Sequence, residues 1–312
     1  INFVEAQQVV SISKADALSK ISERNLALKI SEKEFNQAKA DFNQTNSIFL
    51  PNITASHTGI FTTNPLMAFG SKLNQAILTQ NDFNPTLLNN PKQTQNFATI
   101  LEVQQPLINL DGLYQRKAAR SRMDVILLKT ERTADYLSLE AEKAYMQLQL
   151  AYKGVQVLDK ALQAAKANKE IAENSFKQGY LQRADILNIE IRVADIRSQL
   201  QTAKSNVQNA SNYLSFLMDD ITDVVFIPVD SLAITSSIAE VQKISENRAD
   251  IKAMELASKA HEQLNKADKM AFLPRLNLFG SYQMYDNNIV DGGAGGYLIG
   301  AELSWDIFQG SK

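Results

Sequence analysis

The chain has 312 residues and a formal net charge of −2, so it carries neither the basic footprint of a nucleic-acid binder nor an acidic tail. It has no cysteine, which excludes disulfides and thiolate metal sites and suits an oxidising compartment. The first ten residues include Glu5, Gln7 and Gln8 and lack the basic start and apolar run of a signal peptide, so any targeting segment has been removed or lies outside this sequence. Residues 42–71 form the longest uncharged stretch, but their Thr, Asn, Ser, Gly and Pro content rules out a membrane-spanning helix.

In chain order, residues 14–49 read as a helix with Leu28, Ser31, Phe35, Ala38, Phe42, Thr45 and Phe49 at three-four spacing, stopped by Leu50-Pro51. A weakly alternating strand follows over 52–62. Residues 64–96, rich in Asn with Pro65, Pro85 and Pro91, read as a long loop. Residues 97–107 alternate as a strand, and a glycine-containing bend at 109–112 leads into the longest periodic stretch. From Met123 the seam runs through Leu127, Thr130, Ala134, Leu137, Ala141, Ala144, Leu148, Ala151, Val155, Leu158, Leu162 and Ala165. Past Gly179 it resumes at Ile186, Ile189, Val193, Ile196, Leu200, Ala203, Val207, Ala210, Leu214 and Leu217. Two helices joined by a tight glycine turn predict an antiparallel coiled-coil hairpin. Its first arm would be on the order of 100 Å long at 1.5 Å per residue, too long for a globule. The function should therefore follow from length and packing rather than from a catalytic pocket.

After Met218 the beat fails. Residues 219–230, with β-branched residues and Pro228, read as an irregular or strand-like interlude before a helix over 237–272 that stops at Leu273-Pro274. Each helix flanking the interlude would be about 50 Å long, so the two end to end match the long arm. Two alternating strands follow, joined by a glycine-rich loop over 286–296. In the first, Leu276, Leu278, Tyr282 and Met284 oppose Arg275, Asn277, Ser281 and Gln283. In the second, Tyr297, Ile299, Ala301, Leu303, Trp305 and Ile307 oppose Leu298, Gly300, Glu302, Ser304 and Asp306.

The chain repeats itself: Phe49-Leu50-Pro51 corresponds to Phe272-Leu273-Pro274, each followed by strand, loop, strand and glycine (Gly112, Gly310). The second copy stops where the first enters its long helix, and the repeat predicts about a hundred further residues. His261 aligns with Ala38, which predicts a packing position. With every helix burying its own seam, nothing remains to cover the apolar strand faces. Strands of this length, with Phe61, Phe97, Tyr282, Tyr285, Tyr297 and Trp305 near their ends, suit an outer-membrane barrel with interfacial girdles. Four strands cannot close alone, and three copies would supply twelve. Glu102, Glu302 and Asp306 fall on the polar faces, where they would line a wet lumen or simply be solvated. No phosphate loop, nucleophile triad or carboxylate–histidine metal spacing occurs, so no enzyme or cofactor is expected.

The order helix, Phe-Leu-Pro, strand pair, Gln105-Pro106-Leu107-Ile108-Asn109, long helix, Phe176-Lys177-Gln178-Gly179, Asp185-Ile186-Leu187, helix, second Phe-Leu-Pro and Trp305-Asp306-Ile307-Phe308 resembles the TolC-like outer membrane efflux protein family. The resemblance implies a mainly α fold with a β-barrel part. Long helices would form a trimeric α-barrel in the periplasm, and four strands per protomer would join a twelve-stranded barrel in the outer membrane. It divides the chain into 1–51 (first-repeat helix), 52–108 (first barrel hairpin), 109–219 (helical hairpin with its tip near 176–185), 220–236 (interlude), 237–274 (second-repeat helix), 275–308 (second barrel hairpin) and 309–312 (start of an absent second hairpin). It implies a homotrimer in outer-membrane lipid that acts as the exit duct of a tripartite efflux or type I secretion system. A periplasmic adaptor would dock at a tip made of Lys177, Gln178, Gly179, Tyr180, Leu181, Arg183 and Asp185, and an inner-membrane transporter would drive the cargo. The alternative is a soluble periplasmic coiled-coil adaptor or scaffold.

Overall fold

Helical geometry ends before Pro51, in a 3-10 turn over Thr45–Ile48, and before Pro274, at Met270, and a strand starts just after each proline, which cannot continue a helical ladder and whose fixed φ suits an extended chain. In the computed structural model, which describes residues 8–220, 224–232, 247–289, 291–308 and 310, the elements follow from this. They are β1 (Gln8–Ile12), α1 (Lys14–Arg24), α2 (Leu26–Gln44), β2 (Asn52–Thr62), α3 (Pro65–Asn74), α4 (Pro85–Asn89), β3 (Thr94–Ile108), α5 (Leu110–Lys177), α6 (Arg183–Leu217), β4 (Val224–Pro228), α7 (Ala249–Met270), β5 (Arg275–Asp286) and β6 (Ala294–Ser304). Residues 1–36 with 126–253 form one unit, and 37–125 with 254–312 a second.

In the first unit α6 buries Ile186, Val193, Leu200, Val207 and Leu214, one residue per heptad, as its seam predicts. The matching part of α5 buries Leu137, Ala141, Ala144, Tyr145 and Leu148. Two seam positions differ from expectation: Leu127 and Ala134 are exposed. The expected single helix over 14–49 is also divided. Asn25 leaves helical geometry (ψ 127°), accepts from the Ala27 backbone N–H, and donates through Nδ2 to the Leu217 carbonyl at 2.8 Å. One buried amide thus ends α1, starts α2 and fastens both to the end of α6.

Residues 8–12, ahead of the helix expected from residue 14, form β1, which pairs in parallel with β4 from the interlude. Ser211 links this pair to α6, its hydroxyl accepting from the Phe226 N–H at 2.8 Å. Beneath it, the buried Tyr145 hydroxyl donates to Asp230 Oδ2 at 2.8 Å, and the same carboxylate accepts from the Lys14 N–H at 2.8 Å. Burial first, and then the hydrogen bond to Asp230, push the Tyr145 phenol up to about 12. Backbone and phenol donors hold the Asp230 carboxyl below its usual range. The part of the expected helix over 237–246 lies outside the described residues, and α7 is described from Ala249.

The second unit holds a four-stranded antiparallel sheet in the order β2-β3-β5-β6, the two repeat hairpins joined edge to edge. Pro106 sits beside a register shift between Pro106 and Ile108, where a missing N–H costs the ladder least. Two expectations are corrected here. Gly112 makes no bend: it lies in the first turn of α5, and a Cβ there would meet the Asn109 side chain at 2.8 Å, the side chain whose Oδ1 accepts from the Gly112 N–H. Residues 64–96 are no plain loop, because Asn64 and Asn84 cap α3 and α4 and Pro65 and Pro85 take the first helical position. Asp111 in the first turn of α5 takes a bidentate pair from Arg275 (3.1 and 2.7 Å), tying that helix to β5. Among the described residues, no helix is long and apolar enough to cross a membrane.

Candidate functional site

The helical tip is built by its caps. α5 ends at Lys177, and Gly179 at φ +83° occupies the left-handed position that an L side chain resists. The Gly179 N–H donates to the Phe176 carbonyl and the Tyr180 N–H to the Ser175 carbonyl, both at 2.9 Å, which closes the last turn. Across the turn the Gln182 N–H donates to Asp185 Oδ2 at 2.9 Å, so Asp185 satisfies an orphan donor where the helix N-terminus also favours negative charge. Lys169 on α5 pairs with Glu190 on α6 at 3.0 Å, and that bond is the main reason its ammonium pKa is raised. The seven expected tip residues therefore lie together on one turn. Lys177, Gln178, Gly179, Tyr180, Arg183 and Asp185 are exposed and Leu181 is half-buried, with Tyr180 presenting 79% of its surface.

The sheet has two unlike faces, and register separates them. Thr54 pairs with Glu102, Glu102 with Ser281 and Asn277 with Glu302, so one face gathers Thr54, Ser56, Glu102, Asn277, Ser281 and Glu302. The other gathers Ile53, Phe61, Leu101, Val103, Leu278, Tyr282, Tyr297, Ile299 and Leu303, all exposed. An uncovered apolar face of this extent needs a partner or a lipid solvent. Aromatic rings fill gaps left by cross-strand glycines: a Cβ at Gly59 would meet Phe97 at 2.8 Å, and one at Gly300 would meet Phe279 at 2.5 Å.

Three expected positions are corrected. Asp306 lies beyond the end of β6 and on no strand face, since the ladder stops at Ser304 and the Trp305 indole N–H donates to the Phe272 carbonyl at 2.9 Å. Tyr285 shares the face of Glu102, not the aromatic one, and its hydroxyl donates to Gln283. His261 is exposed rather than packed, the buried positions of that helix being Ala253, Ala260 and Ala267, one per heptad. His57 stacks on Phe97 with Nδ1 2.9 Å from the Thr99 hydroxyl. Among the described residues no cluster of His, Cys, Asp or Glu could hold a metal ion. Sequence reasoning passed over Tyr145, Asp230 and Gln75, whose partners are far away in the chain; the Asn-Pro pairs at 64 and 84 were the legible sign of the helices in the outer segment.

The family model for outer membrane efflux protein matches residues 17–219. Among solved structures, the fold is similar to CusC, described in terms of folding and transmembrane channel formation (TM-score 0.77, 16% identity, covering 99% of this chain and 69% of that one). It is also similar to the Campylobacter jejuni CmeC outer membrane channel (TM-score 0.72, 20% identity, 99% and 66% covered). A third likeness is to the outer membrane protein VceC from Vibrio cholerae (TM-score 0.75, 14% identity, 96% and 69% covered). The chain thus spans about two thirds of the length of each of these proteins. No curated protein matches it significantly in sequence. With a family model covering more than half its length and a fold shared with these structures, the chain belongs to the outer membrane efflux protein family, the TolC-like channels of the outer membrane that extend into the periplasm.

Proposed function

We propose that this chain is one protomer of a homotrimeric exit duct, conducting solutes passively from the periplasm to the exterior within a tripartite efflux or type I secretion system. The observation that carries the reading is the two-faced sheet. Its apolar face is exposed, its polar face holds Glu102 and Glu302, and among the described residues β2 and β6 are its open edge strands. In hydrocarbon every backbone group must be paired, so three sheets joined β6 to β2 would close twelve strands around a wet lumen. A second line of support is the exposed stripe Leu139, Met146, Leu150, Val157 and Ile171 on α5, heptad-spaced and off the buried seam, a ready contact for a neighbouring protomer.

In this reading Glu102 and Glu302 face the lumen, Asp306 sits at its periplasmic rim, and the tip of Lys177, Gln178, Gly179, Tyr180, Leu181, Arg183 and Asp185 receives a periplasmic adaptor that links the duct to an inner-membrane transporter. No cofactor takes part and no bond is made or broken. A soluble periplasmic adaptor would share the helical hairpin but has no use for the bare sheet face. Fractionation separates the two: the duct stays with the outer membrane after alkaline washing and migrates as a trimer, whereas a washed-off monomer would favour the adaptor.

A further inference from the structure

The long outer segment between β2 and β3 does not project away from the sheet. It folds onto one face of it, and register identifies which. Thr94, Asn96 and Ala98 are 8%, 6% and 7% exposed, and all three lie on the face of Glu102 and Glu302. On the opposite face at the same level Phe61 stays 59% exposed. The covering element is α3, which buries Ala68 and Ser71. Gln75, at its C-terminal cap, fixes it in place. The Gln75 amide lies 2.9 Å from the Gln95 carbonyl, 2.7 Å from Asn96 Oδ1 and 3.1 Å from the Asp286 carbonyl, spanning β3 and β5. The segment has internal rigidity of its own. Lys72 pairs with Asp82 at 2.7 Å, Asp82 accepts from the Thr79 N–H at 2.8 Å, and Phe69 meets Phe83 edge to face. An ordered, capped and ion-paired insert is unlike a solvated loop, which would carry few such ties.

Resting on the duct reading, we propose that residues 64–93 form a solute filter seated inside the outer mouth of the channel, so that this segment, held by Gln75, sets the size of solute that can leave or enter. Three copies, one per protomer, would converge on the axis from the lumen-facing side. Pore cross-section at this level is then fixed by α3 and α4 rather than by the strands. The segment on the other hairpin, residues 287–293, is too short to do the same.

The test is single-channel conductance of the full-length trimer in planar lipid bilayers, for the native chain and two variants. In the first, residues 63–93 are replaced by Asn-Gly, which closes the Thr62–Thr94 pair as a tight hairpin. In the second, Gln75→Leu removes the amide and leaves the fold of the strands untouched. Conductance should rise about twofold or more in the first variant and show frequent larger openings in the second. Cells carrying either should become sensitive to large hydrophilic antibiotics that the native channel excludes. Trimers that conduct identically with and without the segment would overturn the filter while leaving the duct intact. Trimers that do not conduct in any form would instead overturn the duct.

Discussion

Leu298 and Ile299 are adjacent, both large, both apolar and 55% and 77% exposed, so composition cannot tell them apart. Register does: Ile299 pairs with Gly280 on the bare apolar face, and Leu298 pairs with Ser281 on the face of Glu102. Ile299 is also the middle residue of β6 (Ala294–Ser304), which places it near the bilayer midplane if the strand spans it. An arginine there would sit in hydrocarbon, a cost of about 2–4 kcal/mol per protomer for a barrel side chain at mid-depth. On the lumenal face the same guanidinium stays hydrated, and its cost should be below about 1 kcal/mol. The assay is urea-titrated folding into phospholipid vesicles, read by the loss of heat-resistant migration on gels. Ile299→Arg should lower the folded fraction by at least an order of magnitude at the native midpoint, while Leu298→Arg should fold nearly normally. Equal effects, or a larger effect at Leu298, would refute the assignment of faces.

Tyr145→Phe should destabilise the first unit by about 1 kcal/mol, since it removes a part-buried hydrogen bond to a carboxylate, and a double-mutant cycle with Asp230→Asn should show that the two side chains are coupled. The Asp230 carboxyl is held below its ordinary pKa, so its contribution is present above about pH 4 and lost as pH falls through the lowered value, and the coupling measured by denaturation should vanish there. Gly179→Val meets no atom within 4 Å but must adopt φ +83°, so it should strain the tip by about 1–2 kcal/mol, leave trimers intact and reduce cross-linking to the periplasmic adaptor. Gly300→Val should disturb assembly by driving into the Phe279 ring, and adding Phe279→Ala should restore heat-resistant trimers. Lys72 chiefly lowers the Asp82 carboxyl to about 2, so its support of the outer segment persists above about pH 4 and fails only towards pH 2; pepsin cleavage within 64–93 should rise only in that interval.

The coiled-coil hairpin was legible in the sequence because its signal is repetitive: ten seam positions on one helix outvote any single polar residue, and α6 buries one residue in every heptad where the pattern places it. The strands were legible for a similar reason, with alternation carried by residues such as Leu276, Leu278, Ile299 and Leu303. What escaped was set by single residues acting over long sequence distances. Asn25 divides a periodic helix because a carbonyl at Leu217 is within its reach, and β1 exists only because β4 pairs with it. Asp306 was misplaced because alternation continues through Ile307 after the hydrogen-bond ladder has ended at Ser304. Prolines 65 and 85 read as loop markers in the sequence because proline signals both a break and a first helical turn, and only the capping asparagines before them decide between the two.

Threefold closure of the sheet is the claim on which the duct depends, and disulfide trapping across the open edges tests it directly. A cysteine at Ala55 on β2, combined in turn with one at Tyr297, Ile299, Ala301 or Leu303 on the same face of β6, should give in one register covalent dimers and trimers on denaturing gels and nothing larger. Monomers at every pairing, or a ladder running past three chains, would contradict it.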